Sequence, residues 1–139
     1  MLELTSGFID LKKIVACLKS ELHEVDIIYL FGSQVGKQGH GSSDIDLAIK
    51  CKKPVALEKL WALSVELAGL AACDVDLVDL SNASTVMRLQ IVANGQRLYC
   101  SDEKSCTIFE DFVFSDYVRL NEERAAIIED IELRGTVYG

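Results

Sequence analysis

VDIIYLFGSQVGKQGHGSSDIDLAIK, residues 25–50, is the stretch on which the reading of the whole chain turns. Val25 to Phe31 is an apolar run rich in β-branched and aromatic side chains, too short for a helix and ended by Gly32-Ser33, which predicts a buried strand. Residues 34–43 carry three glycines, a lysine and a histidine and read as a loop with at most one helical turn. Asp44 to Lys50 then alternates strictly, as a second strand does when Ile45, Leu47 and Ile49 turn to the core and Asp44 and Asp46 point together to the other side.

Outward from these strands the periodicity changes. Ile9 to Leu22 spaces its apolar residues as an amphipathic helix, with Ser6 as N-cap. Pro54 suits the first turn of a helix running to about Ala71, with Val55, Leu57, Leu60, Trp61, Leu63, Leu67 and Leu70 on a wide apolar face. A strand follows over Cys73 to Leu80. Ser81 and Ser84 offer caps for a helix over Thr85 to Ala93, and Asn94-Gly95 predicts a left-handed stop. A brief strand, Gln96 to Tyr99, and a polar bridge, Ser101 to Ser105, lead into one long helix over Thr107 to Leu133, with Ser115 as a candidate break. This order predicts a small α/β (α+β) domain, a small mixed sheet flanked by helices. Residues 1–100 form its core, and residues 101–139 a helical extension whose Phe109, Phe112, Phe114 and Tyr117 cannot all face inward, which suits a partner contact.

Composition narrows the function. The 139 residues are half apolar and carry 14 Lys plus Arg against 22 Asp plus Glu, a formal net charge of −8, so non-specific grip on nucleic acid or an anionic membrane is disfavoured. The five cysteines, Cys17, Cys51, Cys73, Cys100 and Cys106, lack zinc-ligand spacing and sit in or beside apolar segments, as small reduced thiols of a cytoplasmic protein do. Met1 to Lys13 has no signal-peptide pattern, and Glu58, Lys59 and Glu66 interrupt the most apolar window.

Two nucleotide motifs fail in the glycine-rich stretch. Gly32 to Gln38 has three residues rather than four between its glycines and Gln38 where a P-loop needs Ser or Thr; Gly39 to Asp44 puts aspartate at the third glycine of the dinucleotide fingerprint and leads into a strand. An EF-hand is excluded by the missing glycine and distal glutamate. What remains is Gly32-Ser33, ten residues, and Asp44-Ile45-Asp46, with Asp74-Val75-Asp76 repeating the alternation on another strand. Two carboxylates about 5 Å apart repel by on the order of 3 kcal/mol at an effective dielectric of 20, so such a cluster draws protons or cations, and an all-oxygen donor set suits Mg²⁺. Gly32 lets backbone approach a ligand, and the following N–H groups with the Ser33 hydroxyl suit phosphate oxygens. Together they make a phosphate cradle opposite a metal site, with Asp74 and Asp76 both open as the third carboxylate. Lys37 and His40 lie in the loop above, equally at home in solvent. Arg88 and Arg97 read as surface charge.

The spacing Gly32-Ser33-x10-Asp44-x-Asp46 resembles that of the DNA polymerase beta type nucleotidyltransferase superfamily. The chain is most similar to its minimal nucleotidyltransferases, the MntA-type antitoxins paired with HEPN toxins. The similarity extends through Ile28 to Ser33, Ser43 to Leu47, Asp74 to Leu80, Ser84-Thr85-Val86 and Glu123 to Asp130. It implies a polymerase-beta-type nucleotidyltransferase fold and an antitoxin that transfers AMP from ATP to a tyrosine of the HEPN ribonuclease, acting as a hetero-oligomer with that toxin. It further implies that Asp44 and Asp46 bind Mg²⁺, that Gly32 and Ser33 bind the triphosphate, and that Asp76, in preference to Asp74, is the third carboxylate, a metal ligand and base. Asp79 falls on the opposite face and reads as structural. Two other functions compete: a binding antitoxin that works by occlusion, and a small-molecule nucleotidyltransferase, the latter disfavoured because the chain has no second, substrate-binding domain.

Overall fold

A computed structural model describes residues 11–32 and 44–134; Ser6 and the loop with Ser33, Lys37 and His40 fall outside them. Four strands, β1 (Val25–Phe31), β2 (Ile45–Cys51), β3 (Val75–Asp79) and β4 (Gln96–Cys100), form one mixed sheet in the order β3-β2-β1-β4. β1 runs antiparallel to β2 and β4, and β2 parallel to β3. The helices are α1 (Leu11–Glu21), α2 (Leu57–Ala71), α3 (Thr85–Asn94) and α4 (Glu103–Leu133).

The apolar run Ile27 to Phe31 of β1 has a physical reason: a central strand covered on both faces has no solvent side to leave polar. Ile28 and Leu30 pack with Leu47, Ile49 and Leu77 against Ile14 and Leu18 of α1 and Leu60, Leu63 and Leu67 of α2. Ile27 and Tyr29 face the other way, with Ala48, against Ile91 of α3 and Cys106 of α4. Burial pushes the Cys51 and Cys106 thiols up to about 11, so both stay protonated at neutral pH, and all five cysteines are free.

Several expectations are corrected. α2 begins at Leu57, not Pro54: its N-cap, Ala56, is still extended (φ −63°, ψ 144°), and the Val55 N–H before it donates to Asp79 Oδ2 at 2.8 Å. Its inward face is narrow: Leu60, Leu63 and Leu67 are buried while Leu57 and Trp61 are 79% and 71% exposed, since a helix lying on a sheet turns only one stripe inward. Gly95 is extended (φ −79°, ψ 169°), not left-handed; a side chain there would meet the Ile91 carbonyl oxygen at 2.5 Å, so the glycine serves the tight passage from α3 into β4. The left-handed cap is Ala72, at the end of α2 (φ 58°). α4 runs through Ser115 unbroken, capped by Asp102, whose carboxylate accepts from Ser105 N–H at 3.1 Å.

Neither arginine is idle surface charge. Arg88 donates from Nε to the Leu80 carbonyl at 2.8 Å and from Nη2 to that of Ser81 at 2.9 Å, clamping the 3₁₀ turn Leu80–Asn82 after β3. Arg97 on β4 holds Glu103 at 2.9 Å and lies 3.6 Å from Glu110, which accepts a hydrogen bond from the buried Tyr29 hydroxyl. Burial and the Glu110 carboxylate push the Tyr29 phenol well above its ordinary pKa, so it remains a donor and ties α4 to the centre of the sheet.

Asp79 is the buried acid of the described core, 4% exposed, accepting from Val55 N–H at 2.8 Å and Ser81 N–H at 2.9 Å. Asp79→Ala orphans two backbone donors and is expected to cost about 2–3 kcal/mol of stability, read from the urea midpoint at an unchanged slope. A loss no greater than that of an ordinary surface substitution would deny Asp79 this role.

Candidate active site

The ends of β1 and β2 meet at Gly32 and Asp46. Phe31 is paired across the sheet with Asp46, and the chain then leaves β1 through Gly32 at φ +80°, a conformation that L side chains rarely adopt. A methyl group on Gly32 would overlap Asp46 Oδ2 and stand 3.1 Å from its Cγ. Glycine is therefore required twice at this position, by the backbone angle and by the carboxylate packed against it.

β2 and β3 are in parallel register, with Asp46 beside Asp76 and Ile45 beside Val75, and the Ile45 N–H donates to the Asp74 carbonyl at 2.9 Å. The odd-numbered residues of the two strands go to the α1/α2 core, which leaves Asp46 and Asp76 on the face that α3 and α4 cover. Asp46 is half-buried, whereas Asp44 and Asp76 are exposed. Burial, then the charge of Asp76, then that of Asp44 raise the Asp46 carboxyl above the ordinary aspartate range; all three causes act in one direction. Asp74 is exposed two residues before Asp76, just ahead of β3, and its charge falls with that of Asp44 on the Cys73 thiol. Asp79, at the far end of β3, is engaged with backbone.

Thus Gly32, Asp44, Asp46 and Asp76 come together at one end of the sheet; Ser33 lies outside the described residues. Among the described residues no three acid, thiol or imidazole groups are close enough to hold a metal ion as they stand. The donor set fits a hard divalent cation nonetheless: it is all oxygen, Asp44 and Asp76 are exposed, and the burial and like charges that raise Asp46 are what a cation would offset.

One part of the site escaped the sequence. Met87, Gln90, Ile91 and Asn94, at helical spacing on α3, face Phe31 and Gly32 across a cavity of about 300 Å³. The periodicity of this stripe was visible, but its facing the end of β1 depends on the docking of α3 onto the sheet.

Residues 12–104 match the family model described as "Polymerase beta, Nucleotidyltransferase". The protein adenylyltransferase MntA of Shewanella oneidensis is 37% identical over 119 residues, which span 86% of this chain and 85% of that protein. A solved complex of tri-AMPylated Shewanella oneidensis HEPN toxin with its MNT antitoxin matches at 36% identity and a TM-score of 0.72, over 87% of this chain and 94% of the solved one. A toxin-antitoxin structure with AMP-PNP matches at 37% identity and a TM-score of 0.74, over 87% and 97%. No helix among the described residues is long and apolar enough to cross a membrane.

A carboxyl whose pKa is raised by folding favours the native state only while protonated, and that contribution is lost as pH rises through the raised pKa. Asp46→Asn is therefore expected to raise the melting temperature at pH 7 in chelator, with the gain gone below the ordinary aspartate range. Added MgCl₂ should stabilise the wild type and not the variant. Identical melting of the two proteins at pH 7 in chelator would contradict the electrostatic account.

Proposed function

The chain belongs to the polymerase beta nucleotidyltransferase family, and from that premise we propose that it is the antitoxin of a HEPN/MNT pair, a protein adenylyltransferase that moves AMP from ATP to a tyrosine of its HEPN toxin in the cytoplasm. The observation that carries this reading is the folding of Gly32 onto Asp46 beside Asp76, in a chain alike over most of its length to an antitoxin seen with its AMPylated toxin.

In the reaction, the tyrosine oxygen attacks the α-phosphorus of ATP. A new oxygen–phosphorus bond forms, the bond to the bridging oxygen breaks, and pyrophosphate leaves with the electron pair. In this reading the backbone at Gly32 and the Ser33 hydroxyl receive phosphate oxygens, while the missing side chain on Gly32 makes room for the Asp46 carboxylate beside them. Asp44, Asp46 and Asp76 would hold Mg²⁺, whose charge, when bound, offsets that of the triphosphate and lowers the pKa of the attacking hydroxyl. Asp76 is exposed and can accept the tyrosine proton.

Residues 101–139 serve as the partner contact in this reading. Val113, Tyr117, Leu120, Arg124, Ile127 and Ile131 follow one another at alternating spacings of four and three, the seam of a coiled coil. Its first three members are buried or half-buried on the body, while every residue from 121 to 134 is exposed, so the same stripe continues outward without a partner. Asp116, Glu123 and Asp130 flank it at heptad spacing. A second copy of the chain would set acid against acid in an antiparallel pair, so the seam suits a helical toxin surface with basic flanks. Phe112 and Phe114 are exposed near its base, whereas Phe109 packs on the core.

Two experiments test these assignments. Toxin co-expressed with the wild-type chain should gain mass in AMP-sized steps, and toxin co-expressed with the Asp44→Asn, Asp46→Asn double variant should gain none; AMP transfer by the double variant would refute the proposed centre. Ile127→Glu with Ile131→Glu, at positions 60% and 43% exposed, should melt like the wild type yet lose co-purification with the toxin. Undiminished capture of the toxin would place the contact elsewhere.

A further inference from the structure

The cavity between the end of β1 and α3 shares Gly32 with the phosphate cradle, so whatever occupies it lies next to a nucleotide whose phosphates rest there. Its volume of about 300 Å³ is at the lower end of the range of small-molecule sites. The stripe from Met87 to Asn94 covers about 10 Å of helix at 1.5 Å per residue, the scale of a nucleoside. Phe31, Met87 and Ile91 supply aromatic, polarisable and aliphatic surface for a flat ring.

The polar groups are more specific. Gln90 and Asn94 stand one turn apart on α3, both exposed, and among the described residues neither carboxamide has a hydrogen-bond partner. A carboxamide presents an acceptor beside a donor. Adenine answers with its N6 amino donor beside the N7 acceptor, and such bidentate pairing is the usual way Asn and Gln read adenine. Guanine offers two acceptors on that edge, O6 and N7, and would leave the carboxamide oxygen facing an oxygen. Among the described residues none that lines this cavity is charged, so no carboxylate or guanidinium of theirs tilts the choice toward another base.

We infer that this cavity is the nucleobase subsite and that Gln90 and Asn94 select adenine over guanine. The inference rests on the reading of ATP as the AMP donor and adds to it the residues that choose the base. The competing occupant is the ring of the acceptor tyrosine, and it predicts a different kinetic response.

The test uses the full chain with its toxin, as wild type, Gln90→Ala, Asn94→Ala and the double variant, with ATP or GTP as donor. KM for ATP should rise roughly tenfold for each lost carboxamide while kcat changes little, and the preference for ATP over GTP should fall by a similar factor. KM for the toxin should stay constant. A rise in KM for the toxin with unchanged base preference would assign the cavity to the acceptor and overturn the inference, as would no change in either. Binding of AMP-PNP and of its guanine counterpart to the same four proteins, measured by calorimetry, needs no transfer step. Should the wild type transfer nothing, the adenylyltransferase reading falls, and the binding preference still decides the base subsite: wild-type selectivity for AMP-PNP lost in the variants supports it, and equal selectivity in all four rejects it.

Discussion

The contact between Gly32 and Asp46 is the constraint on which the rest of this molecule depends. A half-buried carboxylate lies where a side chain on residue 32 would have to be, and the backbone there has turned to positive φ. Neither feature helps the fold. The left-handed angle restricts the position to glycine, and a carboxylate whose proton affinity is raised by burial and two like charges is a net cost while it stays ionised. Such local cost persists only where the surroundings over-determine it, and they do: β1 is packed on both faces, β2 is paired on both edges, and the apolar positions alternating with Asp46 are buried. The core holds the acidic end of the sheet in a geometry that the end would not keep by itself.

Much of this was legible because β1 and β2 obey different patterns. The run Val25 to Phe31 reads as a strand with no solvent side, and the alternation from Asp44 reads as a strand with one polar margin; both strands lie where the patterns place them. The partnership of Asp46 with Asp76 was less accessible. The alternation in Asp74-Val75-Asp76 puts both acids on one face, but which of them stands beside Asp46 is fixed by a parallel register that α2, the crossover, determines. Periodicity speaks of faces within an element and is silent on the neighbour across a sheet.

The misses share that cause. Arg88 looked like surface charge because its partners are backbone carbonyls, which carry no mark in the sequence. Gly95 looked like a left-handed stop because that is the common use of a glycine after a helix, whereas here it clears the Ile91 carbonyl. The apolar residues of α2 suggested a wide buried face, yet a sheet offers a helix one line of contact and leaves Leu57 and Trp61 outside. In each case composition was informative about tendency, and packing against a distant element decided the outcome.

The end and the middle of β1 have separate tasks. At Phe31 and Gly32 the strand meets Asp46 and the cavity under α3; at its middle the Tyr29 hydroxyl engages Glu110 and, through it, Arg97, fixing the root of α4. The outward half of α4 makes no contact that buries it. A helix that leaves its body with an apolar seam in water gains stability only where something covers it, and the acidic flank disfavours a second copy of the same chain. In the proposed pairing with a HEPN toxin, then, one strand references both surfaces: the toxin is held on a helix anchored to the middle of β1, and the nucleotide at that strand's end. A rigid common reference of this kind lets binding of the partner count toward orienting its tyrosine, since freedom lost on docking need not be lost again at the phosphate.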